Sequence, residues 1–168
     1  MTSDHHNEML YRLKRSMYPN NRPNRAARVL NRISAAQFGV GFLAPRRAVT
    51  LQVAGRHSGR TISLPLVLVN HQGERYLVSM LGEDVNWVRN VRAAGGRAVL
   101  RHGRSEPVRL VEVDPALRAP ILRRYLELAP GARPHMPVDR NSSDEAFAAV
   151  ADRYPVFRVT SDRQPTQH

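Results

Sequence analysis

The segment Gly55-Arg56-His57-Ser58-Gly59-Arg60 gathers more functional chemistry than any other stretch of this sequence. Two glycines allow a tight loop whose backbone N–H groups can turn towards an anion. Arg56, Arg60 and Ser58 add side-chain donors, and an arginine can grip a phosphate or carboxylate through two parallel hydrogen bonds. The same composition also suits a solvated hairpin turn, so the loop alone leaves two readings open. Other reactive chemistry is sparse. With no cysteine, disulfides, thiolate-bound zinc, cysteine-ligated iron–sulfur clusters and a cysteine nucleophile are excluded. His5-His6, His57, His71, His102, His135 and His168 are scattered with no H-x-x-x-H pair, so no metal site is expected. No triad or paired-carboxylate pattern stands out, and no catalytic acid, base or nucleophile is assigned. There is no G-x-G-x-x-G and no Walker A sequence.

The elements that must position this loop follow from the hydrophobic periodicity. Residues 1–24 are polar and broken by Pro19 and Pro23, which predicts an arm. From Asn24, Val29, Leu30, Ile33 and Phe38 approximate one apolar helical face while Arg25, Arg28 and Arg32 line another, until Gly39, Gly41 and Pro45 end the pattern. That helix suits packing on its own domain or docking on an anionic membrane surface. After Pro45 the period becomes that of strands: Ala48–Ala54, Ile62–Asn70, Arg75–Met80, Arg97–Arg101, Pro107–Val113 and Pro155–Thr160. His71-Gln72-Gly73-Glu74 predicts a hairpin. Helices are predicted from Asp84 to Ala94, stopped by Gly95-Gly96, and from Asp114 to Leu128, with Leu117, Ile121, Leu122, Tyr125 and Leu128 as the apolar face. A third is predicted from Ser142 to Arg153, where Ser142 and Glu145 have capping-box spacing. Short strands with helices inserted late predict an α+β fold built on a mostly antiparallel barrel. A parallel nucleotide-binding sheet is disfavoured because no crossover helix separates the first two strands.

In order along the chain, Gly55-Arg56-His57-Ser58-Gly59, Pro65-Leu66 and Trp87-Val88-Arg89-Asn90-Val91 resemble the deazaflavin-dependent nitroreductase family. The likeness runs from about Arg46 to Val113, and more loosely through Tyr154-Pro155-Val156-Phe157. It implies a split β-barrel of the FMN-binding-protein-like kind that uses coenzyme F-420 to reduce nitro compounds and quinones. By position, Arg56, His57, Ser58, Gly59 and Arg60 would face the coenzyme's phosphate and acidic tail. Pro65, Met80, Leu81, Gly82, Trp87 and Asn90 would lie around its ring. Acceptor contacts are expected from Phe38, Phe42, His135 and Tyr154, with Tyr125 a further candidate. The chain departs from the family pattern at His57 (commonly lysine), at Ile62 (commonly arginine) and at Met80-Leu81-Gly82-Glu83 (Ser-Lys-Gly-Gly in many members). FMN is the alternative cofactor, with a haem-type ligand a further one in related barrels. Such barrels often dimerise, so a homodimer is expected by resemblance.

Charge fits an anionic ligand. The 168 residues carry 26 basic and 14 acidic side chains, net +12. Residues 1–60 hold 11 basic against 2 acidic residues, whereas residues 61–168 hold 15 against 12. This asymmetry points to an anionic partner for the N-terminal third. A nucleic-acid-binding module is disfavoured, since aromatics are only 6% and no recognition motif is present. No signal peptide and no run of about 18 apolar residues is visible, so a cytoplasmic protein is expected, with peripheral membrane contact through the helix. The expected layout is a basic arm and helix over 1–44, the barrel over 45–160 and a flexible tail over 161–168.

Overall fold

The computed structural model describes residues 47–162. The predicted arm, its helix and Phe38 and Phe42 lie outside the described residues. Within them, seven strands form one sheet: β1 (Ala48–Ala54), β2 (Thr61–Val67), β3 (Val69–His71), β4 (Glu74–Val78), β5 (Arg97–His102), β6 (Arg104–Glu112) and β7 (Val156–Ser161). Three α-helices are α1 (Asn86–Ala93), α2 (Ala119–Leu128) and α3 (Asp144–Val150). Every strand pairing is antiparallel. Gln72 and Gly73 both have positive φ, 49° and 78°, which makes the β3–β4 connection a two-residue hairpin turn matched to strand twist.

The sheet order is β2-β1-β5-β6-β7-β4-β3, so β2 and β3 are its two edges. Only Leu68 separates them in sequence, and the sheet must therefore curl until the end of β2 lies beside the start of β3. The sequence pattern predicts one strand over Ile62–Asn70. The chain instead turns at Leu68, whose N–H donates to Arg47 O at 2.8 Å, and passes from one edge to the other. The result is an α+β split β-barrel.

Alternation along the strands sorts side chains to two cores. Val49, Leu51, Val53, Leu64, Leu77, Leu100, Val108, Leu110, Phe157 and Val159 fill the barrel, and α1 adds Trp87, Val88 and Val91 to them. On the other side of the sheet, Val69, Val78 and Val156 pack under Ile121, Leu122, Tyr125 and Leu126 of α2 and Phe147 of α3. Each such side chain contributes about 1.5–3 kcal/mol on burial. After α1, Gly95 and Gly96 end the helix as predicted, both with positive φ. Gly96 lies so close to β6 that a Cβ there would stand 2.3 Å from Leu110 O.

Three helix starts differ from the sequence reading. Asp84 does not cap α1: its carboxylate pairs with Arg89 at 2.7 Å, and Val85 is the N-cap. Ser143 rather than Ser142 caps α3, its Oγ accepting from Ala146 N–H at 3.2 Å. Asp114 caps only a short 3-10 turn, Pro115–Leu117, before α2 begins at Ala119. Pro120 explains the break, because it has no N–H and its ring would collide with the carbonyl four residues back in a continuous helix. That break exposes Leu117, assigned above to the apolar face, and buries Arg118. The Arg118 guanidinium donates to the carbonyls of Val113, Ala151 and Tyr154, at 2.8, 3.1 and 3.3 Å, and reaches Glu112 at 3.4 Å. Burial pulls its pKa down, partly offset by Glu112.

Candidate anion-binding site

The β1–β2 hairpin presents the Gly55–Arg60 loop. Ala54 and Thr61 form the last strand pair, after which Gly55 N–H donates to Arg60 O and Gly59 N–H donates to Gly55 O, both at 2.8 Å. Gly59 takes φ 67°, which glycine adopts without strain. Gly55 is buried because Ser58 folds back over it; a Cβ at Gly55 would stand 2.8 Å from Ser58 Oγ. Ser58 Oγ accepts from Arg60 N–H at 3.2 Å, so the serine braces the loop from inside. Residues 56–60 are all exposed.

The loop is tied to α1 through Asn90, which is buried. Its Oδ1 accepts from Arg56 N–H at 3.2 Å and from Arg56 Nη1 at 2.9 Å. Asn86 Oδ1, one turn earlier on the same face of α1, accepts from Arg56 Nη2 at 3.3 Å. Both partners are neutral amides, so Arg56 is held in place with its charge intact. Among the described residues no carboxylate pairs with Arg56 or Arg60. The arrangement fits a phosphate or carboxylate, since a guanidinium has five donors and the two amides occupy only part of them. Asn86 was not singled out in the sequence; its four-residue spacing from Asn90 is the signal that would have found it.

The remaining predicted residues fall in other places. Trp87 is buried in the barrel core, its ring centroid 5.6 Å from that of Phe157 with planes tilted by 58°. Pro65 is exposed on edge strand β2, where a missing N–H costs no ladder bond. Met80, Leu81 and Gly82 form the turn after β4, closed by Ser79 Oγ donating to Gly82 O at 2.6 Å. Met80 packs against the helical core and Leu81 against the barrel core. Tyr154 is adjacent, since Ser79 N–H donates to Pro155 O and Gly82 lies against Arg153 O. The Tyr154 hydroxyl donates to His135 O at 3.2 Å, and burial pushes its pKa up. The predicted residues thus form two groups. Arg56–Arg60 stand with Asn86 and Asn90, while Met80–Gly82 stand with Tyr154 and His135. Among the described residues no cluster of His, Asp and Glu suited to a metal is present, and no helix is long and apolar enough to cross a membrane.

By sequence, the chain matches no family model and no curated relative. Solved structures share its fold. A protein of unknown function from Agrobacterium tumefaciens superposes with a TM-score of 0.53 at 12% identity, over 87% of this chain and 58% of its own. A protein solved as a domain-swapped dimer gives 0.50 at 18% identity, over 78% of this chain and 96% of its own. These two likenesses agree with a split β-barrel. Structural neighbours also include an F-420-H2-dependent reductase, with 20% identity over 68% of this chain and 95% of its own and a TM-score of 0.48.

Proposed function

We propose that this chain is an oxidoreductase that binds the deazaflavin coenzyme F-420 and passes a hydride from its reduced form to a quinone, nitro compound or similar acceptor. The observation that carries the reading is the Arg56 guanidinium, fixed by Asn90 and Asn86 without neutralisation at the tip of a glycine loop. The order of the Gly55–Gly59, Pro65-Leu66 and Trp87–Val91 motifs and the split-barrel fold support it. When bound, the coenzyme supplies the hydride-carrying ring, and the protein supplies binding, orientation and charge.

In this reading Arg56 and Arg60 hold the phosphate and acidic tail, and Asn90 and Asn86 orient Arg56. Ser58 and Gly59 shape the loop, and the Met80–Gly82 turn borders the ring. Trp87 acts from behind: packed on Phe157, it fixes the start of α1 from which Asn86 and Asn90 project. His135 and Tyr154 remain the described candidates for acceptor contact. No side chain acts as a nucleophile, and proximity and orientation do the catalytic work.

The test is a fluorescence titration of cofactor-free protein with oxidised coenzyme F-420 and, separately, with FMN, using free polyglutamate as competitor. Saturable micromolar binding that prefers the deazaflavin is expected. Preference for FMN would keep the anion loop and replace the coenzyme. Binding of neither would overturn the proposal.

A further inference from the structure

A second cleft lies on the outer face of the sheet, sharing no residue with the Gly55–Arg60 loop. Across β4, β7 and β6, the register sets Tyr76 beside Arg158 and Arg158 beside Val111, so the three form one row. This row floors a cleft of about 420 Å3, within the ~300–1,000 Å3 range of small-ligand pockets. One wall is the β3–β4 hairpin at His71 and Gln72; the other is the 3-10 turn and first turn of α2, at Leu117, Pro120 and Ile121.

The apolar lining is unusually open. Val111 is 41% exposed and Leu117 is 64% exposed, and they are two of only three large hydrophobic side chains exposed among the described residues. The Asp114–Pro115 turn and Pro120 hold Leu117 out of the α2 face, so its exposure is set by backbone geometry.

The charges around the cleft are unequally committed. The Glu112 carboxylate is taken by Arg92 at 2.7 Å and by Arg118 at 3.4 Å. Asp114 Oδ1 accepts from Ala116 N–H at 2.9 Å, and no cation pairs with this carboxylate at the rim among the described residues. The Arg158 guanidinium has no hydrogen-bond or ion-pair partner among the described residues, and the residue stands in register between Tyr76 and Val111 on the neighbouring strands. A guanidinium so placed suits one carboxylate, gripped in two-point fashion, on a flat apolar body that covers Tyr76 and Val111. The remaining charge on Asp114 disfavours a dianion such as a phosphate monoester.

We infer that this cleft is a binding site for a small planar monocarboxylate, with Arg158 holding the carboxylate and Tyr76, Val111 and Leu117 covering the apolar body. The site stands independently of the coenzyme reading, because none of its residues belongs to the loop or to α1.

The experiment is a titration of the full chain with 2-naphthoate, followed by backbone amide NMR shifts. Saturable shifts centred on Tyr76, Val111, Leu117 and Arg158 are expected. Arg158→Gln and the neutral probe 2-naphthylmethanol should each weaken binding about tenfold. Leu117→Asp, a change at a side chain that is 64% exposed, should weaken it through both lost cover and added negative charge, with an unchanged unfolding midpoint as the check that the fold holds. Arg97→Gln, the same charge change on β5 outside the cleft, should leave it unaltered. Shifts that fail to saturate, that map away from this row, or that survive Arg158→Gln unchanged would overturn the inference.

Discussion

Asn90 Oδ1 accepts from both the main-chain N–H and the guanidinium of Arg56, so one buried amide fixes a loop's backbone and aims its charge at once. Shape and charge can therefore be separated by substitution. Asn90→Asp keeps the acceptor oxygen but adds a negative charge against Arg56, so the fold should hold while affinity for an anionic ligand falls. Asn90→Leu leaves the Arg56 N–H unpaired, which costs about 1–3 kcal/mol. It should lower both the unfolding midpoint and the affinity. Chemical denaturation and coenzyme titration of the two variants distinguish these outcomes. Equal affinity for Asn90→Asp and the native chain would count against Arg56 as the anion's partner.

Arg56→Gln removes the charge at an exposed position. Affinity for coenzyme F-420 should drop about tenfold or more, with the unfolding midpoint nearly unchanged. The native chain should also lose affinity as salt rises, and the variant less steeply, as isothermal titration at several ionic strengths would reveal.

Gly96→Ala tests the contact between the end of α1 and β6. The new methyl would meet Leu110 O, a backbone atom that cannot swing aside, at a residue with φ 82°. A loss of about 3 kcal/mol or more is expected, read as a lower thermal midpoint. Gly73→Ala, at a hairpin tip with open space around it, should cost less.

Tyr125 sets an alkaline limit on stability. Burial pushes its hydroxyl well above the ordinary tyrosine value of about 10, and Tyr154 shifts the same way. The folded state thus retains protons that the unfolded chain releases. The contribution of these two tyrosines to stability should be fully present below about pH 10 and be lost as pH climbs towards the folded-state values. Tyr125→Phe should flatten that fall while leaving neutral-pH stability close to native. Urea midpoints between neutral pH and the alkaline range provide the measurement.

The strands were legible because alternation is a local signal. β1 runs over Ala48–Ala54, as its pattern indicates, and the Gly55–Arg60 loop follows where two glycines demand a turn. The bend at Leu68 left no such mark, since Leu66, Val67, Leu68 and Val69 read as one continuous apolar run whose break is imposed by closure of the sheet. Asp84, Ser142 and Asp114 each satisfied a capping rule, yet only Asp114 caps, and then a 3-10 turn rather than the long helix. Arg89 drew Asp84 away, and Ser143 stood one position nearer the helix. Pro120 was the visible sign that the Asp114 helix breaks, and with it that Leu117 turns outward. The burial of Arg118 depends on three carbonyls from distant segments, and no local pattern encodes such a meeting. For the site, the glycine loop was legible at once. Its tie to α1 required two asparagines some thirty residues away, which only the fold brings near.

The position of β7 also constrains how the protein is made. This strand is contributed by the last described part of the chain, yet it sits between β6 and β4 rather than at an edge of the sheet. During vectorial synthesis, β1, β2, β5 and β6 can assemble as one ribbon and β3 with β4 as a hairpin. The two pieces cannot be joined until Val156–Ser161 has left the ribosome. Until then β6 and β4 each present an unpaired edge, the kind of surface that recruits other chains. A nascent chain halted before Val156 would therefore be a client for chaperones, and release of β7 is the event that joins the two pieces of the sheet.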